Sequence, residues 1–285
     1  MEWYDKFMTT LLLKDIFIYP VKSLAGIRVA VSEVVATGLR YDRQWMLVDE
    51  HGAFLSQRRM PKMALIRTQL TSDSLILSAE GQSPLHIPIA LQGDVMINVR
   101  VWADFCLARH VSAEADTWLS DFLCSKCQLV FLPDTEKRSV DLNYALPQDQ
   151  TAFSDGFPFL IVSEDSLAML NQTMPQPVEM ARFRPNLVIS GCDAFAEDSW
   201  RHIRIGSIDF RLPKPCSRCV IPAIDPQTGQ VDKEPLATLN RIRKWQNKIY
   251  FGQNALHNQL GQLTVGDPVE VITSGEKQPP MVECV

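Results

Sequence analysis

The densest concentration of reactive side chains is Lys214–Pro215–Cys216–Ser217–Arg218–Cys219. Two thiols three positions apart, with Lys214 and Arg218 beside them, form an electropositive setting. Neighbouring cations favour thiolate over thiol, and thiolate is the form that attacks or binds a metal. Three chemistries are open to the pair. A redox Cys-x-x-Cys ordinarily opens a helix, whereas this one lies between two segments that read as strands, Ile208–Leu212 and Val220–Ala223. A structural zinc needs four ligands, and the other close pair, Cys124 and Cys127, stands far beyond the usual ribbon spacing of roughly 15–20 residues. The third chemistry is a single thiolate ligating a cofactor-borne metal. The plain alternative is two thiols packed in a strand turn. Cys124 and Cys127, at the end of an expected helix, read as packing residues, and Cys106, Cys192 and Cys284 carry no pattern.

A second set of candidates is cationic. Lys22–Ser23 ends an apolar run, Arg40 and Arg43 precede another, Arg58–Arg59 follow a hairpin, and Arg182 and Arg184 precede Leu187–Ser190. Arginine forks bind phosphate bidentately, and Lys and Ser add donors. Taken singly, each pair reads more often as a solvated face than as a site. If they converge, they form a pocket for a small phosphorylated anion. Neither a P-loop nor a G-x-G-x-x-G fingerprint is present, so the phosphate need not be a nucleotide's. Asp225–Pro226–Gln227–Thr228–Gly229 has the chemistry of a β-turn throughout. The five histidines are scattered without ligand spacing.

These residues must be positioned by a β-rich framework. Short apolar runs punctuated by turn residues predict strands at Leu12–Tyr19, Val29–Ala36, Gln44–Asp49, Ile66–Leu70, Ser74–Leu77, Leu85–Ile89, Val95–Val101 and Gln128–Leu132, with a helix over Ala113–Phe122. Pro133 to Gln150 is polar and weakly periodic, and a domain boundary is expected there. Beyond it, strands are expected at Phe159–Val162, Leu187–Ser190, Arg201–Ile205, Ile208–Leu212, Val220–Ala223 and Val269–Thr273. Ser163 is expected to cap a helix, and Glu234–Trp245 carries a helical pattern. The fold class is β-rich α+β, a sandwich or barrel with peripheral helices.

Apolar residues make up 46% of the 285 and charged residues 21%, which suits a folded chain with a sizeable core. The net charge of −5 argues against nucleic acid or an anionic membrane as partner, so any basic site must be local. The apolar run Leu11–Val21 is too short and too interrupted to span a membrane, Glu2 and Asp5 spoil a signal peptide, and the odd count of 7 cysteines suits a reducing compartment. A cytoplasmic protein is expected.

Several segments together resemble a known family. Tyr19–Pro20–Val21–Lys22–Ser23 followed by Gly38–Leu39–Arg40–Tyr41–Asp42–Arg43–Gln44–Trp45 resembles the N-terminal domain that accompanies MOSC domains. Phe183–Arg184–Pro185–Asn186 running to Gly191, the Cys216–Cys219 motif leading into Ile224–Gly229, Phe251–Gly252–Gln253 and Val265–Val269 resemble the MOSC core. The likeness, to bacterial YcbX-type proteins and the mitochondrial amidoxime reducing component, covers nearly the whole chain in consistent order. It implies an N-terminal MOSC-associated β domain over 11–135, a MOSC β-barrel domain over 150–275 and a linker-like tail over 276–285.

The resemblance also implies a molybdenum cofactor: a metal on a phosphate-bearing pterin, with a cysteine thiolate as protein ligand. By position in the motif that cysteine is Cys219. Lys22, Ser23, Arg43, Arg184, Asn186, Ser217 and Arg218 would hold the molybdopterin, Asp155, Ser163 and Glu164 would line the same cleft, and Asp225 is a candidate proton source. Pyridoxal phosphate stays open as another phosphorylated partner. The implied reaction is two-electron reduction of N-hydroxylated compounds such as hydroxylamines, amidoximes or N-hydroxylated bases. Many YcbX-type relatives carry a ferredoxin-like domain after a Pro-rich linker. Here no cysteine set for an iron–sulfur cluster follows Ser274, so the expectation is either a separate ferredoxin- or flavoprotein-type donor or a chain truncated before such a domain. Two other readings stand beside this one: a persulfide carrier using Cys219 or Cys216, and a non-enzymatic module that binds pterin or phosphate.

Overall fold

The computed structural model describes residues 10–91 and 93–280. Cys284, Glu2 and Asp5 lie outside them. The first half contributes β1 (Leu12–Ile18), β2 (Ile27–Val29), β3 (Val31–Val35), β4 (Gly38–Leu39), β5 (Trp45–Val48), β6 (Arg67–Leu70), β7 (Ser74–Ser78), β8 (Leu85–Pro88), β9 (Met96–Val101), β10 (Asp104–His110), α1 (Ala113–Leu123) and β11 (Gln128–Phe131). After the short pair β12 (Arg138–Ser139) and β13 (Gln150–Thr151) come β14 (Phe159–Ser163), α2 (Glu164–Gln172), β15 (Leu187–Ser190), β16 (Trp200–Ile205) and β17 (Ile208–Ser217). α3 (Leu236–Ile242), β18 (Lys244–Trp245), β19 (Lys248–His257), β20 (Gly261–Thr264) and β21 (Val269–Ser274) complete the order. The chain thus forms the expected β-rich α+β architecture.

Among the described residues the largest sheet has nine strands, ordered β2-β1-β15-β14-β19-β17-β16-β21, with β18 on β19. Its β1 comes from the far N-terminal side of the sequence and pairs antiparallel with β15, Leu13 facing Ile189 and Ile16 facing Leu187. Likewise β3 pairs with β20. Apolar side chains at alternating positions of these strands, among them Leu13, Ile16, Ile161, Ile189, Ile203 and Phe210, close one core. α2 and α3 pack over the sheet through Leu170, Leu239, Phe183 and Phe251. A separate core joins α1 to β5, β11 and the β6–β8 meander through Trp45, Leu77, Leu119 and Leu129.

Four local expectations need correction. β17 does not stop at Leu212 but runs on to Ser217, pairing with β19 across register shifts between Arg211 and Lys214 and between Pro215 and Ser217. Those bulges accommodate Pro213 and Pro215, residues that lack the N–H a regular ladder needs. Val220–Ala223 is not a strand: Ile221–Ala223 is a 3-10 turn with Pro222 inside it. The Glu234–Trp245 helix is shorter, because Gln246 and Asn247 both take positive φ (46° and 61°) and turn Trp245 back onto Lys248 as a hairpin. Cys124 is not packed; it is exposed at the C-cap of α1, while Cys127 is buried. β10 was hidden from the pattern because its inward residues are the small Cys106 and Ala108, while Phe105 and Leu107 face out. Among the described residues no helix is long and apolar enough to cross a membrane.

Candidate active site

Cys219 follows the end of β17, just beyond the backbone bond from Arg218 N to Ile249 O (2.7 Å) that ties this end to β19. It opens onto a cleft of about 1200 Å³, solvent-open mouth included, lined by Lys22, Ser23, Arg43, Arg58, Asp155, Arg184, Asn186, Lys214, Ser217 and Arg218. The enclosed part of the cleft, about 360 Å³, suits a small-molecule ligand. Residues close to two hundred positions apart meet here because β1 and β17 belong to one sheet.

Each cation is fixed by specific partners. Lys22 Nζ donates to Phe153 O (2.7 Å) and to Asp155 Oδ1 (2.5 Å). Arg58 Nη2 donates to Asp155 Oδ2 (2.6 Å), and the same guanidinium lies beside the Cys219 sulfur. Arg43 Nη1 donates to Asn186 Oδ1 (3.0 Å), and Arg184 Nη1 donates to Leu24 O (2.7 Å). Asn186 is fully buried, donates Nδ2 to Phe17 O and accepts from Leu160 N at Oδ1, so it serves as scaffold for Arg43. Arg218 Nη2 donates to Phe183 O (2.7 Å) and Nη1 to Cys216 Sγ (3.3 Å), while its Nε is buried without a hydrogen-bond partner among the described residues.

The backbone around the cleft is strained in a way that side chains alone do not need. Ser23, Arg43 and Arg184 all adopt positive φ (68°, 50° and 54°), the left-handed region that costs non-glycine residues. Such outliers concentrate where geometry serves a site. Tyr19 braces two of them: the guanidinium carbons of Arg43 and Arg184 lie 4.3 and 4.2 Å from its ring centroid, and its hydroxyl donates to Pro185 O (3.1 Å). Gly26 permits this, since a Cβ there would stand 2.4 Å from the Tyr19 ring.

Electrostatics follow from burial. Burial pushes the Lys22 ammonium down to about 8, against the upward pull of Asp155. Partial burial opposes ionisation of Asp155, but Lys22 and Arg58 outweigh it and hold the carboxyl well below the usual range. Burial also lowers Arg184 to about 10 and raises Tyr19 to about 12. The cleft carries Lys22, Arg43, Arg58, Arg184, Lys214 and Arg218 against Asp155 in its lining, in a chain that is acidic overall.

Three residues expected in this cleft stand elsewhere. Ser163 is fully buried and caps α2, accepting from Ser166 N (3.1 Å). Glu164, half-exposed, reaches Lys14 at 3.9 Å. Asp225 accepts from the Gln227 and Thr228 amides (2.8 and 3.0 Å) and pairs with Arg182 (2.9 Å). Partial burial works against its ionisation, but the two amides and Arg182 prevail and hold it below the usual carboxylate range. Conversely, the cleft brings in Arg58, as convergence of the cationic pairs would require, together with Lys214 and Asn254, which were not among those pairs. Arg58 stood in a flagged Arg–Arg pair, and Lys214 in the thiol cluster; Asn254 lies on β19, which showed no strand signal of its own. Among the described residues no three or more His, Cys, Asp or Glu side chains converge as a metal site.

The model of the MOSC N-terminal beta barrel domain matches residues 10–126, and that of the MOSC domain matches residues 148–270. The chain is 38% identical over 276 residues to mitochondrial amidoxime-reducing component 1 of Homo sapiens, covering 90% of this chain and 82% of that protein. It is 37% identical over 276 residues to the same component of Mus musculus, covering 90% and 81%. By both domain matches and by these identities along its length, the chain belongs to the MOSC-domain family that includes the mitochondrial amidoxime-reducing components.

Proposed function

We propose that this protein is a reductase of N-hydroxylated compounds, amidoximes and hydroxylamines among them, that depends on a molybdenum–pterin cofactor and takes electrons from a separate donor protein. The observation that carries the reading is the meeting of the Cys219 sulfur with a fixed set of cations in one cleft. A phosphate-bearing pterin whose metal takes one soft thiolate fits that set. Arg218 Nε is a buried donor with no partner among the described residues, Lys22 carries a buried charge and Arg184 a half-buried one, and Ser23 and Ser217 add hydroxyls. When bound, the cofactor supplies the two-electron chemistry that cleaves N–O.

The chain's own residues bind and orient. Lys22, Arg43, Arg184 and Arg218 would neutralise and fix the phosphate and pterin. Asp155 holds Lys22 and Arg58 apart on its two oxygens, which keeps one guanidinium at the sulfur. The reduction turns N–OH into N–H and water, consuming two electrons and two protons. The names of the relatives, amidoxime-reducing components, support amidoximes as the substrate class.

Metal analysis is the test. Protein made in a host that builds the cofactor is expected to carry molybdenum near one per chain, and Cys219→Ala to lose it. Wild type that holds none and gains none on reconstitution would sink the reading. Releasable sulfur without stoichiometric metal would point instead to a persulfide carrier.

A further inference from the structure

Trp102 has a cost that the fold alone does not require. Val101 pairs with Asp104 across β9 and β10, which leaves Trp102 and Ala103 as a two-residue turn. Trp102 takes φ 58°, and Ala103 has no positive φ. Positive φ at the first turn position alone is the pattern of a type II′ hairpin, where glycine is preferred. A bulky side chain there is strained.

The strain carries the indole to the rim of the cleft. Its Nε1 donates to Asp155 Oδ1 (3.2 Å), and its ring centroid lies 4.8 Å from the Arg58 guanidinium carbon. Phe54 meets it edge-on at 4.9 Å and in turn underlies Lys22 Nζ at 5.1 Å. Arg58 and Asp155 both line the cleft, and Arg58 lies beside Cys219. Arg58 is a long side chain with many rotamers, and its carboxylate partner is shared with Lys22. The indole face supplies a second, flat contact that an ion pair lacks.

We propose that Trp102 is a positioning residue that holds the Arg58 guanidinium against Asp155 and beside the Cys219 sulfur. The inference rests on the reductase reading for its catalytic consequence, though not for the contact itself. A residue that merely shaped the hairpin would be better replaced by glycine, and that difference makes the idea testable.

The experiment is a double-mutant cycle of Trp102→Gly and Arg58→Gln, with Trp102→Phe as the conservative variant. The full chain is assayed for kcat and KM on an amidoxime, with a reduced viologen as electron source, and for melting temperature. Trp102→Gly is expected to melt close to wild type, because glycine suits the turn, and to lose about tenfold in kcat with a smaller change in KM. Trp102→Phe keeps a ring under Arg58 and should recover part of the loss. In the Arg58→Gln background Trp102→Gly should have no further effect. Independently of any metal, the Arg58 Nε–H signal in NMR spectra of the full chain is expected to lose its ring-current shift in Trp102→Gly. Additive losses in the cycle, an unmoved Arg58 signal, or a fully active Trp102→Gly would overturn the proposal. Wild type without molybdenum would strike the reductase reading instead, and the NMR measurement would still decide the role of Trp102.

Discussion

Lys22 carries an unusual burden for a surface-type residue: a nearly buried ammonium with one carboxylate and one carbonyl as partners. Its depressed proton affinity has a sign that can be worked through. An ordinary lysine stays protonated to about 10.5, whereas Lys22 gives up its proton near 8. Between these values the unfolded chain binds more protons than the folded one, so this group's contribution to stability rises with pH across that window. Anion binding runs the opposite way. Sulfate, which stays a dianion throughout this range, is expected to bind cofactor-free protein with nearly constant affinity well below pH 8 and progressively more weakly above it, as measured by calorimetry. Lys22→Met should bind more weakly at pH 7 and lose that part of the pH dependence. A wild-type profile that stays flat to pH 10 would show that the ammonium does not face the anion.

At the scale of elements, Ser163 separates two roles that its sequence position leaves open. As the cap of α2 it satisfies an orphan N–H at the helix start, beside the buried Ser166 and Glu197. Ser163→Ala is therefore expected to cost about 1 kcal/mol, within the usual range for caps, read as a lower denaturant midpoint with unchanged molybdenum content. Loss of metal at unchanged stability would return Ser163 to the cleft. The capping role was legible in the run Ser163–Glu164–Asp165–Ser166, because capping is a local rule. The cleft role was not, because nearness in sequence to Phe159–Val162 says nothing about which side of a sheet a helix start faces. The same division runs through the rest. Strands with an alternating pattern, such as β7, or a short apolar run, such as β1 and β15, were readable, and Lys22, Arg43, Arg184 and Cys219 were identifiable through their motifs. β17 was cut short by prolines whose bulges depend on β19, and the tie between Arg58 and Cys219 depends on strands brought together from distant parts of the chain.

For the molecule as a whole, local and global charge oppose each other. The chain carries −5 overall, yet the cleft gathers six cations around one carboxylate, so the anion-attracting potential is confined to that mouth. Raising salt is expected to slow anion association modestly, while the buried contacts of Lys22 and Arg218 keep most of the affinity, a contrast that stopped-flow rates against equilibrium binding would expose. The sheet order has a further result in time. During synthesis β1 emerges long before its neighbour β15, and Cys219 gains its tie to β19 only once Ile249 has left the ribosome. β1 and β2 can form a hairpin early, but the wall that joins Lys22 to the sulfur waits for β15, β17 and β19. Non-local pairing of this kind folds late. The cleft is therefore completed only after β19 has been made, and whatever it binds must be delivered to a chain already folded through β19.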